Sequence, residues 1–153
     1  MNVRSLSAVR LLQCVLLSIV CQAALAEELI GIVMVEISGL KDASGNVYIA
    51  VYDSDSSWLG DKTVMTKAVA IADALDGDLV RAELQLPMGD YALSAFFDVD
   101  NDGELDANFI GMPKEPIAMS NNAMAKFGPP KYSDAVFTLG AEPIIQSMTM
   151  RDL

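Results

Sequence analysis

The sequence contains no histidine, and its only two cysteines, Cys14 and Cys21, fall within the first 26 residues. Beyond that point no Ser-His-Asp or Cys-His arrangement can be assembled, and no zinc site of the imidazole or thiolate kind. The usual general base of neutral pH is missing as well. Any catalyst would have to work with carboxylates, lysine, tyrosine or serine. Long apolar runs are equally scarce. The longest, LLQCVLLSIVC from Leu11 to Cys21, is shorter than the roughly 20 residues of a spanning helix. Arg4 and Arg10 lie at or before its start and Ala24-Leu25-Ala26 follows it, so residues 1–26 read as a cleaved secretory signal with Glu27 as the first mature residue. Val20 before Cys21 argues against a lipid anchor, because lipoprotein signals want a small residue there. Both thiols then leave with the signal. An exported chain without disulfides must draw its stability from its core and from any metal it holds.

Positive charge is also in short supply. All 21 acidic residues follow residue 26 against eight of the ten basic ones, a net of −13 for that part. Such a surface repels phosphate backbones and anionic headgroups, which excludes nucleic acid and direct membrane insertion as expected partners. It attracts cations.

What is present is strand patterning. LIGIVMVEISGL, starting at Leu29, is a β-branched run, and VYIAVYD follows after a Gly-containing turn. In the second run Val47, Ile49 and Val51 share one face. A turn or short helix is expected near residues 57–65, then a strand. Between 79 and 86 Val80, Ala82, Leu84 and Leu86 alternate with Leu79, Arg81, Glu83 and Gln85, as in a sheet with one wet face. YALSAFFD, DAVFTL (134–139) and PIIQSMTM (143–150) complete about seven strands. The expected fold is all-β: an antiparallel β-sandwich of immunoglobulin-like or transthyretin-like type, one domain over residues 27–153.

DVDNDGELD, residues 98–106, is the densest patch of charge. Counted from Asp98, carboxylates stand at positions 1, 3, 5 and 9 (Asp98, Asp100, Asp102, Asp106), with Gly103 at position 6 to permit the bend. Glu104 offers its backbone carbonyl. Hard divalent cations take six to eight oxygens, so this spacing points to a metal, Ca²⁺ before Mg²⁺. A bound ion would also relieve the mutual repulsion of the acids. The match to an EF-hand is partial: position 12 is Phe109, and the preceding YALSAFF is strand-like. The loop resembles instead the calcium loops in β-hairpins of extracellular proteins such as integrin propellers. The alternative is a solvated Asn-Asp-Gly hairpin turn.

The connection over residues 111–133 is rich in Pro, Asn and Gly, and is long for a compact domain. It reads either as a cap over the metal-loop end of the fold or as a surface for a ligand or partner. For the second reading the candidate contacts are Met119, Asn121, Asn122, Phe127 and Tyr132, together with Trp58, which could equally plug the end of the core. Taken in order, GNVYIAVYD, LPMGDYALSAFFD, DVDNDGELDAN, IGMPKEP, SNNA and FGPP are similar to the DUF2141 family of exported bacterial proteins. The resemblance implies export and the β fold and carries no activity or catalytic residue with it.

Three functions are expected in descending order. The first is a non-enzymatic binding module, periplasmic or secreted, with a Ca²⁺-stabilised loop. The second is a structural partner in a cell-envelope complex. The third is a hydrolase working with a carboxylate pair such as Asp106 and Glu115.

Overall fold

The computed structural model describes residues 29–40, 44–124 and 127–153. The proposed signal, residues 1–26, lies outside them. Strand β1 (Ile30–Ser38) alternates as its sequence demands, with Val33, Val35 and Ile37 fully buried. It pairs antiparallel with β5 (Leu79–Pro87), whose Val80, Ala82, Leu84 and Leu86 turn inward while Arg81, Glu83 and Gln85 face water. With the two-residue β4 (Leu75–Asp76) and β9 (Ile144–Thr149) these form one sheet, in the order β4-β5-β1-β9. The second sheet runs β3 (Met65–Ala70), β2 (Asn46–Tyr52), β6 (Gly89–Asp98) and β7 (Ile117–Met119). Strand β8 (Phe137–Leu139) joins β6 beyond the end of β7, along Gly89–Tyr91.

The inner faces of the two sheets share one core: Val33, Val35, Val80 and Leu84 from the first meet Val47, Ile49, Leu93 and Phe97 from the second. Each such side chain, fully buried, contributes about 1.5–3 kcal/mol before conformational entropy is set against it. Beyond β9, Ile117 and Arg151 exchange two backbone hydrogen bonds of 2.9 Å, which ties the end of the first sheet to β7 of the second.

Several expectations need correction. Strand β9 runs parallel to β1, so the fold is not wholly antiparallel. Its inner face also carries a polar residue, Gln146, which is tolerated because its Oε1 accepts the Asn121 N–H at 3.2 Å. The segment 134–139 is not one strand. A helical turn, α2 (Tyr132–Ala135), sits where Ala135 is buried, and only Phe137–Leu139 is extended. Similarly a single turn, α1 (Ile71–Ala74), follows β3. Residues 57–59 make turns and β3 follows from Met65, in line with the turn and strand expected there. The long connection contains β7 and a 3₁₀ turn (Ser120–Asn122), neither of which its Pro, Asn and Gly content suggested.

Candidate metal centre

The acidic loop is the connection between β6 and β7, two antiparallel neighbours, and so hangs from one end of the second sheet. Its first residue, Asp98, is the last of β6, pairs across the sheet with Asn46, and is fully buried. A buried carboxylate demands hydrogen-bond donors. Asp98 Oδ1 accepts the Asn101 N–H at 2.7 Å and Oδ2 accepts the Gly103 N–H at 3.0 Å. That wrapping requires a left-handed backbone at both donors, φ 62° at Asn101 and 83° at Gly103, where Asn and Gly are the residues best able to comply. Asn46 Nδ2 holds Asn101 from outside through a 2.8 Å bond to Oδ1. Gly103 lies over Tyr48, which stacks on Phe96 at 5.1 Å between centroids.

A second buried carboxylate closes the loop. Glu115 accepts the Val99 N–H on Oε1 at 2.8 Å and the Asp106 N–H on Oε2 at 3.1 Å. Both ends of the acidic stretch are thereby pinned to one side chain. Backbone N–H groups thus already donate to two carboxylates of the acidic stretch, Asp98 and Asp102, and to the flanking Glu115, so the chain's own hydrogen bonds contribute to the order of this segment alongside any ion.

Among the described residues one carboxylate cluster has metal-ligand spacing. Asp98, Asp100 and Asp102 each offer an oxygen, and the three lie within 4.8 Å of one another. Two oxygens bound to one Ca²⁺ at about 2.4 Å can be no more than about 4.8 Å apart, so the donor set fits a hard cation. Asp100 and Asp102 are exposed, which leaves their remaining positions open to water. Glu104 and Asp106 stand outside this group of three. Glu104 donates its N–H to Asp102 Oδ1 at 2.8 Å, and Asp106 Oδ2 lies 3.4 Å from Lys114 Nζ. The pairing considered for hydrolysis is also differently employed, since both oxygens of Glu115 are engaged by backbone donors.

After the loop the chain makes a small hairpin. Ala107 bridges Pro113, Asn108 Oδ1 accepts the N–H groups of Ile110 and Met112 at 3.0 Å each, and Gly111 turns with φ 81°. Its tip is apolar and unusually bare: Phe109 is 99% exposed and Ile110 64%. Sequence reasoning noted Phe109 only as a missing ligand.

Most of the residues considered for a partner surface make contacts within the fold, although of the six only Met119 is buried. Trp58 donates Nε1–H to Pro130 O at 2.9 Å and meets Tyr52 and Tyr132 edge-on. With Tyr132 it flanks a second, smaller core of Ala92, Met119, Ala123 and Ala135 on the outer side of β6. Tyr132 donates to Asp90 O at 3.4 Å; partial burial, and then the charges of Asp90, Asp53 and Asp55, push its phenol above the usual range. Asn121 donates to Val136 O at 2.9 Å, and Asn122 both accepts from Thr149 N–H at 2.8 Å and donates to Ser147 O at 3.1 Å. Phe127 is 94% exposed. Ser120, buried between Asn121 and Met119, was missed; it accepts from Leu93 N–H at 2.8 Å and donates to Ala135 O at 2.7 Å.

Among the described residues no helix is long and apolar enough to cross a membrane. No curated protein matches the chain. Among solved structures, a leucine-rich repeat protein from Bacteroides thetaiotaomicron VPI-5482 is similar at 10% identity and a TM-score of 0.39, over 80% of this chain and 12% of that one. At that TM-score the likeness carries no argument. The profile of the family described as "Uncharacterized protein conserved in bacteria (DUF2141)" matches residues 35–146, which runs from within β1 to within β9 and takes in the second sheet, the acidic loop and the Glu115 clamp. The chain belongs to the DUF2141 family.

Proposed function

We propose that the protein is a non-enzymatic binding module of the bacterial envelope or exterior, an immunoglobulin-like or transthyretin-like β-sandwich whose β6–β7 loop holds Ca²⁺. The observation that carries this reading is the grouping of Asp98, Asp100 and Asp102 oxygens within 4.8 Å at the end of a strand. The ion would be held by these three carboxylates and by water, would offset their repulsion, and would stiffen the loop from which the Phe109 hairpin projects. The lack of histidine and of any thiol after residue 26 supports a non-enzymatic role.

Calcium titration of the protein, lacking residues 1–26, by calorimetry and by thermal unfolding tests the reading. A ligand selective for the folded state stabilises it by RT ln(1 + [L]/Kd), about 2.7 kcal/mol at a hundredfold excess over Kd. Asp100→Ala with Asp102→Ala should abolish that shift and leave the ion-free protein folded, because both side chains are exposed. An unchanged melting temperature at millimolar Ca²⁺ would sink the metal reading.

A second reading, a structural partner in an envelope complex, is favoured by the bare apolar residues Phe109, Ile110 and Phe127. Photo-crosslinking from position 109 in cells, with Leu75 as an exposed control position, distinguishes it from a free-standing module. Carboxylate hydrolysis through Asp106 and Glu115 is the weakest reading, since neither oxygen of Glu115 is free.

A further inference from the structure

We infer that Glu115 is the positioning residue of the acidic loop: a buried carboxylate, outside the three that would hold the ion, that closes the loop into a ring so that Asp98, Asp100 and Asp102 stay grouped. The functional half of this inference rests on the cation reading above. Glu115 is 5% exposed and lies on the returning arm of the β6–β7 connection, two residues before β7 begins. Its two oxygens reach back 16 residues to the Val99 N–H and 9 residues to the Asp106 N–H. Val99 directly follows the first carboxylate of the cluster, and Asp106 ends the acidic stretch, so one side chain sets the distance between its two ends.

The chemistry suits the task. A carboxylate is acceptor-only when ionised and can receive both N–H groups at once, whereas a carboxamide can offer its oxygen to one and must turn its NH₂ toward the other. Charge-assisted bonds of this kind are about twice as strong as neutral ones. Holding the ring closed without an ion lowers the ordering cost that an arriving cation would otherwise meet. Outer-shell groups that orient ligands in this way typically alter metal affinity by about 10- to 100-fold when removed.

The test compares the wild type, Glu115→Ala and Glu115→Gln by amide hydrogen exchange without metal and by Ca²⁺ calorimetry. In Glu115→Ala, exchange at Val99 and Asp106 should quicken by roughly tenfold or more, the factor expected for a lost charge-assisted bond. Amides of the β1–β5 ladder, such as Val35 and Leu84, should not move. The Ca²⁺ Kd should rise about 10- to 100-fold, with Glu115→Gln releasing one of the two amides and giving a smaller rise. If Glu115→Ala unfolds altogether, Glu115→Gln alone decides. Unchanged exchange at both amides overturns the closure, and faster exchange with an unchanged Kd overturns the positioning role. If the wild type takes up no Ca²⁺, the metal reading and the positioning role fall together, while the exchange data still judge the closure.

Discussion

Asp98 and Gly103, five positions apart in the chain, are joined by a 3.0 Å hydrogen bond from the glycine N–H to a fully buried carboxylate oxygen. The same carboxylate holds Asn101 through its other oxygen. The residue that begins the acidic loop therefore serves its shape first, and any ion can use only the lone pairs that remain.

Removing that carboxylate should be costly. Asp98→Ala orphans the N–H groups of Asn101 and Gly103 inside the loop, and we expect a loss of about 2–4 kcal/mol, read as a lower urea midpoint at unchanged m-value. Asp98→Asn keeps one acceptor and should lose about half as much. Near-wild-type stability of Asp98→Ala would show that water replaces the carboxylate freely.

Gly31 faces a different constraint. A Cβ placed there would lie 2.5 Å from Gly140 O and 2.7 Å from a Leu139 side-chain carbon, so β1 and the end of β8 approach too closely for any larger residue. Gly31→Ala should destabilise by about 1–3 kcal/mol through overpacking, and Gly31→Val by more. Chemical denaturation of the two variants beside Gly77→Ala checks the steric argument, because a Cβ at Gly77 meets nothing within 4 Å even though its φ of 63° also disfavours alanine.

Asn122 closes the outer edge of β9 with its side chain, where no further strand pairs among the described residues. It also holds φ 52°, a left-handed conformation that costs most residues about 1–2 kcal/mol. Asn122→Ala loses both contributions and should destabilise by about 2–3 kcal/mol, whereas Asn122→Gly restores only the backbone part. Equal stability of the two variants, measured by thermal unfolding, would mean that the backbone conformation contributes nothing there.

The phenol of Tyr132 gives a pH signature. Its folded-state pKa is raised above the ordinary value of about 10, by partial burial first and by neighbouring carboxylates second. A raised pKa means that the folded state holds this proton more tightly than the unfolded chain does. The stability it contributes is complete below the unfolded value of about 10 and is lost as pH climbs through the folded value. Tyr132→Phe should therefore flatten the alkaline limb of the stability–pH curve. An identical alkaline limb in the variant would remove Tyr132 as its cause.

Much of this was legible in the sequence, for identifiable reasons. Where one face of a strand meets the core and the other meets water, burial alternates with the chain, and Val80 to Leu86 or Val47 to Val51 could be assigned from period alone. The acidic spacing likewise placed Asp98, Asp100 and Asp102 together, as alternate residues of a tight loop. The pattern failed where burial was decided elsewhere. Strand β7 is three residues long and carries no alternation of its own, yet it forms because β6 presents an open edge at Ser94–Phe96. Trp58 and Met119 carry no period that shows what they touch; they pack together over the outer face of β6, which is covered there as well.

The amino-acid sequence by itself determined the strand faces, the crowding of carboxylates into one loop and the lack of any imidazole, because each of these depends on residue identity over short spans. The tertiary structure alone decided which carboxylates are buried and what they bind. Glu115 reaches Val99 and Asp106 only because β7 folds back along β6, and a contact made by chain reversal leaves no period for a sequence to display.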